Sequence, residues 1–346
     1  MVSDDDAPST APTPWSPPLP WQRDWLAAQL AGGERRHHAL LIAGPAGLGK
    51  TILALNYAQA LLCETPRPDG LACGACAGCT YVAARTHPDL QVLDLHEFKD
   101  DEWKAVNEIS VDRVREVTRM MATSAHRGGR RVAVVMPAER MNTAASNALL
   151  KTLEEPPPGA MLVLTSNQPG RLLKTVLSRC VRVNAPRPGT AQAVAWLESQ
   201  GVGDAAAALA EAGGAPLAAL ARAGDDDRTE RKAWLEALAR PDRLAPIALG
   251  ARIDAAGKDE RKARLAAGLD ALVAWTADLA RVSAGGRAER LPAFQAQLAA
   301  LAPRVARIAL CRYHRSVLFQ RAWIAHPLQP RLVAEALLTE YRALFA

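Results

Sequence analysis

Gly44-Pro45-Ala46-Gly47-Leu48-Gly49-Lys50-Thr51 follows the apolar run Ala39 to Ala43 and leads into the Ala- and Leu-rich segment Ile52 to Leu62. That order reads as strand, glycine loop, helix, and the loop meets the phosphate-binding pattern in full. Gly44, Gly47 and Gly49 let backbone N–H groups turn inward around phosphate oxygens, and the helix start adds its dipole. Lys50 is the residue type that reaches terminal phosphates, and Thr51 the type that holds magnesium. The loop therefore predicts a nucleotide-binding fold for the chain around it.

Working outward, apolar runs and helical patterns alternate from 35 to 184. Strands are predicted at 90–95, 131–136, 161–167 and 181–183, and helices at 111–122 and 142–155, the latter capped by Asn142 and stopped by Pro156-Pro157-Pro158. Residues 97–108 are charged without a clear period and read as a surface loop. The alternation predicts a parallel-sheet α/β domain over 20–184. Before it, 1–19 is rich in Pro, Ser and Asp and reads as a flexible tail; a first helix is expected over 21–31, ended by Gly32-Gly33. Arg35-Arg36-His37-His38 leads into the first strand, and the histidines lack a nearby carboxylate that would make them metal ligands.

Pro186, Pro188 and Gly189 mark a boundary. Short helices are expected over 185–229, with Asp225-Asp226-Asp227-Arg228 as a polar link. Only helical periodicity follows over 230–346. Leu265, Leu269, Leu272, Trp275 or Thr276, and Leu279 share one stripe; Leu301, Val305, Ile308, Arg312 and Arg315 continue in helical steps. Cys311 and His314 lie three apart, too few to make a metal site.

Cys63, Cys73, Cys76 and Cys79 fall within seventeen residues, interleaved with Gly70, Gly74 and Gly78. Cys-x2-Cys-x2-Cys spacing lets sulfurs converge on one tetrahedral ion. Four thiolates with no open position indicate a structural zinc module over 63–79. Six cysteines in 346 residues are not a disulfide scaffold. Forty-two basic against 36 acidic residues give a net charge of +6, compatible with a nucleic-acid partner without demanding one. No stretch has the length of a membrane span, and the N-terminus, with Asp4-Asp5-Asp6, lacks a signal-peptide layout. A cytoplasmic protein is expected.

A phosphate-loop ATPase needs an acidic residue at the end of a core strand, to organise magnesium and the attacking water. Here that end reads Met136-Pro137-Ala138-Glu139. Met136 and Pro137 do neither job; Glu139 lies further on. The loop is predicted to hold nucleotide without hydrolysing it well.

These residues carry a resemblance. His37 to Leu41, the four-cysteine module, Thr86-His87-Pro88-Asp89, Asn147 to Pro157, Arg171-Leu172-Leu173 and Ser178-Arg179-Cys180 resemble the delta-prime subunits of the bacterial DNA polymerase III clamp loader. Many of these motifs are shared with the tau/gamma motor subunits. Two departures select between them: Met136-Pro137 stands where motor subunits resemble Asp-Glu, and Leu217 stands where they place an arginine in the second domain. The resemblance implies an AAA+ domain, a small helical lid over 185–229 and a helical collar over 230–346. It implies partners: tau/gamma and delta subunits, the sliding clamp, and primed DNA. It implies a stator within the DNA-directed DNA polymerase assembly, presenting Arg179 as an arginine finger to a neighbour's ATP, with ATP or ADP and magnesium held statically or not at all in its own loop. Two other readings stay open: an active tau/gamma-like ATPase using Glu139, and a zinc-bearing nucleic-acid module whose nucleotide fold is vestigial.

Overall fold

The computed structural model describes residues 14–31, 37–99, 102–127, 129–223, 225–255, 257, 260–322 and 329–345. The chain divides into two compact units, 1–192 and 193–346. Most of the expected tail, the Gly32-Gly33 stop, Arg35-Arg36 and Gly128 lie outside the described residues.

The first unit opens with a 3-10 turn, Pro20–Gln22, and helix α1, Arg23–Leu30, so the expected helix starts as a tighter turn at its proline. Next come β1, Ala39–Ala43; α2, Lys50–Leu62; α3, Ala77–Ala83; β2, Leu90–Leu93; β3, His96–Lys99; β4, Glu102–Ala105; and α4, Val111–Ala122. The unit continues with β5, Arg131–Val135; α5, Thr143–Glu154; β6, Ala160–Ser166; α6, Lys174–Leu177; and β7, Val181–Asn184. Five strands form one sheet in the order β2-β5-β6-β1-β7, and every pairing is parallel. All residues of β1 and β5 are buried. Helices on both faces explain why these strands read as unbroken apolar runs. On α4 the buried Val114, Val117 and Met121 share a face, and α5 presents Leu149 and Leu153 to the same core. Asn142 caps α5, its Oδ1 accepting from Ala145 N–H at 2.8 Å.

Three local expectations need correction. Residues 97–108 are not simply a loop: β3 and β4 form a hairpin with Phe98 opposite Trp103, ring centroids 5.3 Å apart. Aromatic cross-strand pairs stabilise such ribbons, and this pair was the missed signal. Helix α3 was also missed, as a short helix among glycines and cysteines. The supposed polar link 225–228 opens a helix instead.

The division between units falls within α7, Thr190–Ser199. The second unit is helical: α8, Ala205–Glu211; α9, Pro216–Ala221; α10, Asp225–Leu238; α11, Pro246–Asp254; α12, Glu260–Ser283; α13, Gln295–Leu301; α14, Arg307–Ala322; α15, Pro330–Ala343. Among the described residues its buried side chains include a small cluster around Leu197, Leu209 and Ala219 and a large one around Trp234, Trp275 and Tyr341. Within the large cluster the Trp275 indole donates to Tyr341 Oη at 2.7 Å, and that hydroxyl donates to Leu238 O at 3.0 Å, so the buried polar tips are satisfied. The stripe Leu265, Leu269, Leu272, Trp275, Thr276 and Leu279 is buried as expected. The next stripe is broken: α13 ends at Leu301, a 3-10 turn at Ala302–Arg304 contains Pro303, and Ile308 on α14 is exposed. The proline lacks the N–H needed to continue one helix through it.

Candidate functional site

The phosphate loop joins β1 to α2 at the carboxyl end of the sheet, where the strand order reverses. Open α/β sheets bind their ligands there. Gly47 and Gly49 both have φ of 79°, the left-handed conformation that side chains with a Cβ resist. The outer carbonyls of the loop are tied down. Gln22 Nε2 donates to Gly49 O at 2.8 Å, and the Trp21 indole donates to Leu48 O at 3.4 Å. Gly44 N–H donates to Ser166 O at 3.1 Å, fixing the loop's start to β6. Lys50 is 1% exposed and its Nζ donates to Pro45 O at 2.8 Å; Thr51 is buried beside it. Trp21 and Gln22 are residues that sequence reasoning did not connect with the loop, because nothing in spacing signals a contact from α1's approach.

At the end of β5, Met136 is buried and Pro137 follows it. Glu139 sits in a 3-10 turn, Ala138–Arg140, and its Oε1 accepts from Asn167 N–H at 2.9 Å and Gln168 N–H at 3.3 Å. That oxygen ties two loop ends together, a structural task. Leu217 lies in the second unit on α9 and is buried.

The four cysteines come together. Their sulfurs all lie within 4.8 Å of one another, with Cys63 to Cys76 at 3.8 Å and Cys73 to Cys79 at 3.9 Å. A tetrahedral ion with metal–sulfur bonds of about 2.3 Å sets sulfur–sulfur edges of about 3.8 Å, so the donor set fits a structural metal. Cys63 ends α2 and Cys76 caps the start of α3. The helices meet closely because residue 78 is glycine: a Cβ there would stand 2.6 Å from Leu62 O. Backbone N–H groups aim at the sulfurs, as in Ala75 and Cys76 to Cys73 at 3.4 and 3.3 Å and Cys79 to Cys76 at 3.4 Å. The Thr65 hydroxyl and these two amides lower the Cys73 thiol to about 5, favouring the thiolate that a metal requires. Burial raises Cys79 and Cys63 instead, so a cation bound among the sulfurs is what would favour their thiolates. Arg127 braces the module, pairing with Glu64 at 2.6 Å and lying 5.3 Å over the Tyr81 ring.

Arg179 stands between α6 and β7 on the wall of an open cavity of about 620 Å3, beside His37, His38, Glu154, Ser178 and Cys180. Its Nη2 pairs with Glu154 Oε1 at 2.7 Å, and its Nη1 donates to Thr175 O at 2.9 Å. The two histidine rings stack 4.6 Å apart, and His38 Nε2 lies 3.0 Å from Leu153 O. Burial pushes the Cys180 thiol up to about 11, so it stays neutral beside the guanidinium. The contribution of Glu154 was not visible in the sequence.

A parallel sheet, a glycine loop opening α2, a four-cysteine insertion and a helical second unit together define an AAA+-like subunit. A family profile described as DNA polymerase III, delta subunit matches residues 24–188. DNA polymerase III subunit delta' of Pseudomonas aeruginosa is 43% identical over 221 residues, 63% of this chain and 65% of the relative. The delta' subunit of Escherichia coli is 38% identical over 226 residues, 64% of this chain and 65% of the relative. DNA polymerase III subunit tau of Bacillus subtilis is 31% identical over 157 residues, 45% of this chain and 26% of the relative. The match thus spans a little under two thirds of the delta' relatives. The chain is similar to the delta-prime subunits of bacterial DNA polymerase III, and over a shorter stretch to tau. Among the described residues no helix is long and apolar enough to cross a membrane.

Proposed function

We propose that this chain is a non-hydrolysing stator of a clamp loader. It assembles with tau/gamma and delta subunits, helps place the sliding clamp on primed DNA, and lends Arg179 to a neighbour's ATP. In this reading 185–229 is a lid and 230–346 is a collar that joins the assembly. The observation that carries it is a pairing of opposites: Arg179 stands at an open cavity, while the chain's own strand end offers Met136 and Pro137. A guanidinium spreads charge and donors over phosphoryl oxygens, and arginine fingers in GTPase systems contribute about 10³–10⁵ in rate.

Within its own loop, Gly44, Gly47, Gly49, Lys50 and Thr51 hold ATP or ADP with magnesium statically. The acid needed to organise water is absent from Met136 and Pro137, and Glu139 is bound to backbone amides. These features weigh against a tau/gamma-like motor. Zinc is the metal that four thiolates without an open position select, and its role is to clip Cys63, Cys73, Cys76 and Cys79 into one module. A cytoplasmic setting accords with thiolate ligands.

The test is a reconstituted loader carrying wild-type, Arg179→Ala or Arg179→Lys chain, assayed for ATP turnover and clamp deposition on primed DNA. Arg179→Ala lowers both while assembly and zinc content persist, and turnover stays above zero because other interfaces keep their own arginines. Arg179→Lys rescues poorly, since an ammonium lacks the planar fork. Equal rates for all three chains would reduce the chain's role to architecture.

A further inference from the structure

Arg179 is held from two sides. On one, Nη1 donates to Thr175 O at 2.9 Å and to Ser178 Oγ at 3.3 Å, at the end of α6. On the other, Nη2 meets Glu154 Oε1 at 2.7 Å. These contacts use three of the five N–H donors of a guanidinium and leave two for a ligand.

Glu154 is an unusual choice for its position. It is the last residue of α5, where the helix end carries partial negative charge and favours a cation. The carboxylate therefore works against its own helix and with the arginine. The pair is partly open to solvent, with side chains 34% and 49% exposed, so it contributes little to stability as an ion pair. What it supplies is direction. The anchor is firm: α5 is capped by Asn142 and packs Leu149 and Leu153 into the core. A long arginine side chain fixed from α5 and α6 together loses the rotamers that would point it away from the cavity.

We propose that Glu154 is a positioning residue for Arg179, aiming its two remaining donors at the phosphoryl oxygens of a nucleoside triphosphate held by another subunit. The inference rests on the reading of Arg179 as a group acting in trans. Small misplacements of a catalytic group cost rate far more than binding. Losing Glu154 thus lowers kcat and moves KM little.

The experiment compares wild-type, Glu154→Ala, Glu154→Gln, Arg179→Ala and the Glu154→Ala/Arg179→Ala double variant in the reconstituted complex, measuring kcat and KM for ATP on primed DNA. Glu154→Ala is expected to reproduce more than half of the kcat loss caused by Arg179→Ala. Glu154→Gln, which keeps an acceptor oxygen, loses less, and the double variant falls no further than Arg179→Ala. Nitrogen-15 NMR of the full chain alone supplies a second readout: the Arg179 Nη–H protons, which the Glu154 contact restrains, rotate and exchange with water faster in Glu154→Ala, while the remaining spectrum keeps its dispersion. A kcat loss in Arg179→Ala with none in Glu154→Ala would overturn the positioning role alone. So would a rise in turnover for Glu154→Ala, which would make the carboxylate a restraint. A further fall in the double variant, or unchanged Nη–H exchange, would also overturn it. No loss in Arg179→Ala would overturn the trans reading and this inference together.

Discussion

Met136 and Pro137 occupy the two positions where a working phosphate-loop enzyme needs acid, and neither offers a ligand to magnesium or a base to water. Single residues also decide behaviour elsewhere in the first unit. His87 is buried, and its Nδ1 accepts the Asp89 N–H at 3.0 Å, which requires a neutral ring. Burial holds its pKa below the ordinary imidazole value. The unfolded chain therefore takes up the proton first as pH falls below about 6.5, so stability present above that pH is lost on acidification toward the folded value. His314, half-buried and with its Nδ1 2.7 Å from the Thr276 hydroxyl, has its pKa lowered in the same direction by burial. Thermal unfolding followed from pH 7.5 to 5 should show a falling midpoint. His87→Asn, which keeps an acceptor and does not titrate, should flatten part of that fall. Parallel pH curves for the two proteins would show that His87 carries none of it.

Elements show which parts of the molecule were legible in the sequence. Strands β1, β5 and β6 were readable because burial on both faces removes every polar interruption, leaving short apolar runs bounded by turn residues. Helix α5 was readable through its cap, Asn142, and its proline stop. The hairpin was not, because one exposed face and a charged sequence mask the Phe98–Trp103 pair. The site was legible by half. Loop and cysteines are local patterns, whereas Trp21, Gln22 and Glu154 reach their partners through the fold, and spacing carries no trace of them. Two element-scale tests follow. Cys76→Ser removes a sulfur while leaving a hydroxyl that can cap α3, so metal analysis should fall from about one zinc per chain to nearly none, with proteolysis opening at 63–83 through loss of the ion alone; metal-replete wild-type protein without zinc would contradict the assignment. Gly268 on α12 faces buried Trp234, and a Cβ there would lie 2.3 Å from its ring. Gly268→Ala should therefore destabilise the second unit by about 1–2 kcal/mol, since overpacking outweighs a gain of about 1 kcal/mol in helix propensity. An unchanged or raised unfolding midpoint would mean that the helices part easily at this point.

At the scale of the whole molecule, labour is divided between two sites on the first unit. In the proposed function, one is a loop that holds phosphate without the acid to act on it, and the other is an arginine at an open cavity that serves a neighbour's phosphate. A motor subunit would need its own lysine for turnover. A stator needs only its arginine. The most direct measurement places Lys50→Ala and Arg179→Ala side by side in the same reconstituted loader, with ATP hydrolysis followed on primed DNA in the presence of clamp. Lys50→Ala is expected to leave turnover close to wild type while Arg179→Ala lowers it. Turnover that falls with Lys50→Ala and is indifferent to Arg179→Ala would contradict the account and make this chain a motor.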